Sequence, residues 1–237
     1  MNEVAGPAAE RIADLTWAMT ALGALVFVVF CAAFAYALAR RRSDEPPTPE
    51  RDRHGTRAIV LFGALIPALI LVPLFVWTVQ ALAALDPRAA RPDLVIEVVG
   101  KQWWWEVRYR DADPRKVFMA ANELHVPVGR RVELRLASTD VNHSFWVPAL
   151  QGKTDNIPGR ENVTWIEASA PGVYGGQCAE YCGTQHANMR LLVIAEPPVE
   201  WERWAARQRQ PAAEPPDSMA RAGRDAFLGS ACALCHA

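Results

Sequence analysis

Val132-Glu133-Leu134-Arg135-Leu136 alternates apolar and charged side chains at every step. A strand turns successive side chains to opposite faces, so a period of two predicts one buried face and one in water. Outward from this stretch the signal recurs. Leu94-Val95-Ile96-Glu97-Val98-Val99 lies upstream; Asn162-Val163-Thr164-Trp165-Ile166 and Met189-Arg190-Leu191-Leu192-Val193-Ile194 lie downstream. Gly and Pro punctuate the gaps, at Pro127, Gly129, Pro148, Gly152, Pro158-Gly159, Pro171-Gly172 and Gly175-Gly176. Short strands at this spacing, without helical patterns between them, predict a sandwich or barrel.

Upstream the pattern is different. Leu15 to Ala39 is 25 residues without a charge, and Ala58 to Leu85 is 28. A bilayer core needs ~20 apolar residues as helix. Neither run shows a polar stripe, and a chain of 237 residues is too short to bury two such helices in its own core. Both are therefore read as transmembrane helices. Pro67 and Pro73 inside the second run are tolerated where a neighbouring helix re-satisfies the backbone. The leader carries Glu3, Glu10, Arg11 and Asp14 and has no basic n-region, so the first run is not expected to be a cleaved signal. Arg40, Arg41, Arg42, Arg51, Arg53 and Arg57 outnumber Asp44, Glu45, Glu50 and Asp52 in the connecting loop. That bias places the loop in the cytoplasm and everything after Leu85 outside.

Composition excludes some functions. The formal charge is −1, from 25 basic and 26 acidic residues, which leaves no basic stripe for nucleic acid. Asp93 to Val199 holds 13 acids and 11 bases, so no strongly acidic docking face is evident.

The chemistry lies in the cysteines. Cys31 falls inside the first apolar run and reads as a small hydrophobe. Cys178, Cys182, His186 and Met189 fall within twelve residues, and His143 stands upstream. Three arrangements suit these donors. A Cys178–Cys182 disulfide is permitted outside the cytoplasm but leaves His186 and Met189 without a role. Zinc takes two Cys and two His tetrahedrally. Copper is selected by soft thiolate and thioether ligands; a mononuclear blue-copper site uses one Cys, whereas two thiolates can bridge two copper ions, each completed by one imidazole. Met189 and a backbone carbonyl would then be weak outer ligands. Such a pair shares one electron over two metals and suits fast electron transfer.

These residues resemble subunit II of haem–copper terminal oxidases, the family with a dinuclear CuA centre. The resemblance is carried by Cys178-x-Glu180-x-Cys182-x-x-x-His186-x-x-Met189, by Asp140-Val141-x-His143-Ser144-Phe145-x-Val147-Pro148, and by Gly100-Lys101-Gln102-Trp103-Trp104-Trp105. It implies a cupredoxin-like Greek-key barrel with copper held by His143, Cys178, Cys182, His186, Met189 and the Glu180 carbonyl. It also implies a Mg²⁺ or Mn²⁺ at the Glu180 side chain, shared with the catalytic subunit, and electron entry from cytochrome c through Trp103. Lys153-Thr154-Asp155 and Pro158-Gly159-Arg160 resemble a segment near that subunit. The family often carries an acid just before the second membrane helix; Thr56 to Gly63 has none. His54 and His125 match no ligand spacing and read as a loop residue and a strand residue.

Past Pro197 a short helical stretch leads to Trp204, and Pro211, Pro215 and Pro216 stiffen a linker. Cys232-Ala233-Leu234-Cys235-His236 then matches the attachment site of haem c, with two thioether-forming thiols and an axial imidazole. With the helical stretch before it, this resembles the start of a class I cytochrome c. Ala237 follows His236 directly, and no distal ligand is present.

The expected class is therefore α+β. An extracytoplasmic tail (1–14) precedes a transmembrane hairpin (15–39 and 58–85, joined by a cytoplasmic loop 40–57). A cupredoxin-like domain (93–204), a linker (205–217) and a truncated cytochrome c start (218–237) follow. The expected function is the electron-entry subunit of a respiratory cytochrome c oxidase. It sits in lipid in a bacterial inner membrane, with the copper domain on the periplasmic side, and oxygen chemistry belongs to partner subunit I. A membrane-anchored copper chaperone is the alternative, since it needs the same ligands. A quinol-oxidase subunit on the same fold would lack them.

Overall fold

The computed structural model describes residues 4–40, 49–89 and 91–234. Helix α1 spans Pro7–Ala39. A second apolar segment comprises α2, Pro49–Val60, a π-helical turn at Leu61–Leu65, and α3, Ile66–Ala84. The π turn lies just ahead of Pro67. Proline lacks an N–H and its ring crowds the carbonyl four residues back, here that of Gly63; the wider turn relieves that crowding. Phe27, Phe30, Leu69, Phe75 and similar side chains on these helices are exposed. Residues 7–39 and 53–84 are each long and apolar enough to span a bilayer. The chain is thus membrane-anchored.

Both helices outrun the charge-free stretches. α1 begins at Pro7, where proline at the first turn sacrifices an N–H that has no helical partner anyway. The segment expected as a loop is helical from Pro49, and His54 lies in that helix, its Nδ1 2.7 Å from the Glu50 carbonyl. Glu and Arg are good helix formers, so a helix need not stop where its apolar run stops. Arg41, Arg42, Asp44 and Glu45 lie outside the described residues.

The strands among the described residues are β1 Leu94–Lys101, β2 Trp104–Tyr109, β3 Phe118–Ala121, β4 Glu123–Pro127, β5 Val132–Ser138, β6 His143–Trp146, β7 Thr154–Asn156, β8 Asn162–Ile166, β9 Gly172–Cys178 and β10 Arg190–Glu196. They form two five-stranded sheets, in the orders β3-β2-β1-β5-β8 and β4-β10-β9-β6-β7. Crossovers bring β5 parallel to β1 and β10 parallel to β4; the other pairs are antiparallel. This two-sheet sandwich is the expected cupredoxin-like architecture.

The alternation in β5 does what its sequence requires. Val132, Leu134 and Leu136 are buried while Arg135 faces out. In the parallel register Ile96 stands beside Leu134 and Val98 beside Leu136, so two inward rows line up. Leu191 and Val193 of β10 supply the opposing face, and Trp105, Tyr109 and Phe145 fill the layer between. Each fully buried side chain of this kind is worth ~1.5–3 kcal/mol.

Two joints tie the helices to this sandwich. The N-terminal segment, expected as a tail, is stitched in: the Ala5 N–H donates to Ala149 O (2.8 Å) and the Ser169 N–H donates to Ala5 O (2.8 Å). Ala8 and Ala9 are buried. At the other joint the Trp165 indole donates to the Leu85 carbonyl (3.0 Å), Arg131 donates to the Asp86 carbonyl (3.0 Å), and the guanidinium lies 3.9 Å over the Trp165 ring.

Residues 202–237 form a second compact unit. Helix α4, Pro198–Gln208, runs into it and covers the first residues expected as linker. Helix α5 is Ser218–Leu228, capped by Asp217, whose carboxylate accepts from the Ala220 N–H (2.8 Å). A 3₁₀ turn at Ala231–Leu234 follows.

Candidate metal centre

Adjacent strands assemble the site. His143 opens β6, Cys178 closes β9, and Phe145 stands opposite Cys178 in the ladder. From Cys178 the chain loops outward through Cys182, makes a 3₁₀ turn at His186–Asn188 and returns into β10 after Met189. The Cys178 N–H donates to Met189 O (2.9 Å) and the Ala179 N–H to Ser144 O (2.9 Å), closing the loop at its base.

The result is a compact donor set. The Cys178 and Cys182 sulfurs are 3.9 Å apart and both thiols are free. A disulfide needs ~2.0 Å, so that arrangement is not the one adopted. His143 Nδ1 stands 3.9 Å from Cys178 Sγ, and His186 Nδ1 stands 3.6 Å from Cys182 Sγ. Met189 Sδ is 3.7 Å from Cys182 Sγ, and the Glu180 carbonyl is 3.1 Å from Cys178 Sγ. His143, Cys178 and Cys182 bring their ligand atoms within 4.8 Å of one another. His143, Cys178, Cys182 and Met189 are all buried, at 0–4 % exposure. Each expected copper ligand thus meets another within this cluster.

Surrounding groups orient the donors. Asp140 Oδ1 stands 2.8 Å from His143 Nε2, and a carboxylate can only accept. A proton therefore sits on Nε2, which turns the Nδ1 edge of the ring toward the sulfurs. Burial would lift the Asp140 carboxyl, but bonds from His143 and from the Val141 and Gln102 N–H groups hold it below the usual range. Burial would likewise depress His143, but the Cys178 and Asp140 contacts raise it. Burial also acts on both thiols. On Cys178 it is outweighed by hydrogen bonds with His143 and the Glu180 and Ser144 backbone, which bring the thiol down to about 6. On Cys182 burial and the neighbouring Cys178 charge push it up to about 12. Two thiols shifted in opposite directions this close together repel one another as thiolates, a repulsion that a bound cation would relieve.

The donor chemistry fits copper. Two sulfurs, two imidazoles and a thioether are soft to borderline ligands with no hard oxygen side chain among them. Glu180 supplies only its carbonyl; its side chain is exposed and belongs to no cluster of three or more ligating groups among the described residues.

The tryptophan run separates into three environments. Trp103 is partly exposed and its indole donates to the Cys182 carbonyl (3.1 Å). Trp104 lies under the Lys101 ammonium at 5.1 Å. Trp105 is fully buried, edge-on to His143 at 6.0 Å. Lys153 precedes β7 and Asp155 lies in it, opposite Ser144 of β6; both side chains are exposed, as is that of Arg160. His125 lies in β4, as expected of a strand residue, with Nδ1 3.0 Å from Glu196. Of the residues expected to attach haem c, Cys232 is exposed, while Cys235 and His236 lie outside the described residues. Sequence reasoning missed Asp140, which lies only three residues before His143, and Gln102, whose contact with Cys182 depends on a chain crossing that no local pattern encodes.

Comparison with known proteins places the chain. Residues 112–196 match the family model described as the periplasmic domain of cytochrome c oxidase subunit II. Cytochrome c oxidase subunit 2 of Alkalihalophilus pseudofirmus is 36% identical over 98% of this chain and 68% of its own length. That of Bacillus subtilis is 29% identical over 98% of this chain and 69% of its own. The crystal structure of the periplasmic domain of subunit II of cytochrome oxidase (CoxB) of Bradyrhizobium japonicum is 32% identical, with a TM-score of 0.48, and covers 51% of this chain and 96% of that one. On its likeness to the Alkalihalophilus protein, which spans 98% of this chain, the chain belongs to the cytochrome c oxidase subunit II family.

Proposed function

We propose that this chain is the electron-entry subunit of a respiratory cytochrome c oxidase. It takes electrons singly from a cytochrome c and delivers them to haem in the catalytic subunit I, where oxygen is reduced to water with proton translocation. One observation carries the reading: two buried sulfurs 3.9 Å apart, each facing an imidazole Nδ1. Held there, two copper ions would supply a one-electron relay whose charge is spread over both metals and both thiolates.

The chain's own residues do the rest. Cys178, Cys182, His143 and His186 would hold the copper, with Met189 and the Glu180 carbonyl as weaker donors. Asp140 fixes the His143 tautomer. The sandwich excludes water and resists movement, so little reorganisation opposes a change of charge. Trp103, partly exposed and donating to the Cys182 carbonyl, is the entry point for an electron from outside. Burial of the donors weighs against a carrier that must surrender its copper.

The apolar helices anchor the subunit in a bacterial inner membrane beside subunit I and other oxidase subunits. The arginine-rich connection marks the cytoplasmic end and leaves the copper domain in the periplasm. The Glu180 side chain, exposed beside the centre, is free to join Mg²⁺ or Mn²⁺ with oxygen donors from subunit I. Haem c on Cys232, Cys235 and His236 would make the donor a tethered one.

The test is Cys182→Ser in the assembled oxidase. Electron entry from cytochrome c is expected to fall to background while the subunit remains inserted in the membrane. Normal turnover in that variant would exclude the copper relay.

A further inference from the structure

We propose that Gln102 is a positioning residue that straps together the two loops carrying the candidate copper ligands. The consequence for electron entry rests on the reading given above. The strap itself rests on the geometry of a hairpin tip.

Strands β1 and β2 pair as far as Lys101 opposite Trp104, which leaves Gln102 and Trp103 as a two-residue tip. The tip lies on the site and is held three ways. The Gln102 backbone N–H donates to Asp140 Oδ2 (2.7 Å). Its carboxamide Nε2 donates to the Cys182 carbonyl (2.8 Å), and the Trp103 indole donates to that same oxygen (3.1 Å). The other oxygen of Asp140 holds His143. One residue thus reaches from the segment that orients His143 to the loop that carries Cys182. No other hydrogen-bonded side chain among the described residues joins those two segments from outside.

The loop is shaped to receive the tip. Gly183, next to Cys182, adopts φ +118°, where a side chain is strained. A β-carbon there would also stand 3.2 Å from Gln102 Nε2 and 3.2 Å from the Trp103 ring. Glycine lets the tip lie flat on the backbone. The two donors together occupy both lone pairs of the Cys182 carbonyl. Losing the carboxamide leaves that oxygen half-satisfied, with the indole as its one remaining side-chain donor, so the segment bearing Cys182 opens more often.

The experiment uses the full-length chain in detergent, as wild type and as Gln102→Met, which keeps length but removes the donor. Hydrogen exchange of the 179–186 backbone in the metal-free protein is expected to rise about fivefold, the scale of one partly exposed hydrogen bond. The unfolding temperature of the β domain should stay unchanged. The copper-loaded variant should retain its copper but show an altered visible and EPR spectrum, because Cys182 has lost its fixed geometry. Unchanged exchange, or exchange that rises throughout the domain with a lower unfolding temperature, would overturn the strap. Reduction by cytochrome c, measured in parallel for Trp103→Phe, keeps the two ideas apart. Faster local exchange in Gln102→Met with normal reduction of Trp103→Phe upholds the strap and removes entry through Trp103. Unchanged exchange with slowed reduction does the opposite.

Discussion

Gly100 lies directly against the imidazole of His143: a β-carbon built on Gly100 would come 2.6 Å from ring Cδ2 and 2.8 Å from Cγ. The ring is fully buried and cannot swing away, since Asp140 holds its far nitrogen. Gly100→Ala therefore forces the ligand ring or β1 to shift. The expected cost is ~1–3 kcal/mol of stability from overpacking and a 10–100-fold loss of copper affinity, both order-of-magnitude values. Competition with a copper chelator measures the second; unchanged copper retention would show that the ring tolerates displacement.

The three adjacent tryptophans should respond differently to one substitution. Trp103→Phe removes the indole bond to Cys182 O and should slow reduction by cytochrome c at least several-fold with copper content unchanged. Trp104→Phe keeps an aromatic face under Lys101 and should leave reduction as it was. Trp105→Phe opens space in the core beside His143 and Phe145 and should lower the unfolding temperature instead. Stopped-flow reduction of the assembled oxidase, with copper analysis of the same samples, separates these outcomes. Slow entry in Trp104→Phe alone would move the entry point one residue along.

How much of this was legible beforehand depended on range. Strands such as β5 and β10 bury one face, so their alternation was readable. β9 was hidden because Gly172, Gly175 and Gly176 read as turn residues. Gly176 is there for close approach: a β-carbon would meet Leu191 at 2.8 Å and the Trp146 carbonyl at 2.9 Å. β6 and β7 are too short for any period to show. At the site, Cys178, Cys182, His186 and Met189 share one loop, so their clustering was readable, and the family resemblance supplied the ligand set. His143 joins them from 35 residues away because β6 pairs with β9. Asp140 could have been suspected from its position three residues before His143. Gln102 could not, because its partner Cys182 is 80 residues distant. The stitching of Ala5 into the sandwich was equally hidden, since its bonds are made by backbone and carry no side-chain signal.

The join between α3 and the sandwich concentrates on Trp165. Its indole satisfies the Leu85 carbonyl at the helix end, and Arg131 stacks on its face while bonding the next carbonyl. Trp165→Phe keeps the ring but orphans the Leu85 oxygen; a loss of ~1–2 kcal/mol is expected. Residues 86–92 should then be cleaved faster by an added protease, while the copper spectrum stays normal. Equal cleavage rates would mean that the join is held elsewhere.

The outward face of β1 and β2 carries a chain of charges whose central member is Glu106. Its carboxylate accepts from Lys101 Nζ (2.5 Å) and from Arg108, and Arg108 also reaches Glu97. Burial would raise the Glu106 carboxyl, but the bonds from Lys101 and Arg108 outweigh it and hold the group below its ordinary 4.5. A carboxylate depressed in the folded state binds its proton less readily there than in the unfolded chain. Its stabilisation is therefore complete above the ordinary value and disappears as pH falls through the lowered one. Glu106→Gln should lower the unfolding temperature of the β domain at pH 7, by the equivalent of roughly 1 kcal/mol for a network whose cationic partners are partly exposed. The gap between variant and wild type should begin to narrow as pH falls below the ordinary 4.5 and close as it passes through the lowered value, where the wild-type carboxylate is neutralised. Calorimetry of both proteins across that range checks the sign: a gap that widens on acidification would mean the cationic partners, not the carboxylate, set the stability of this face.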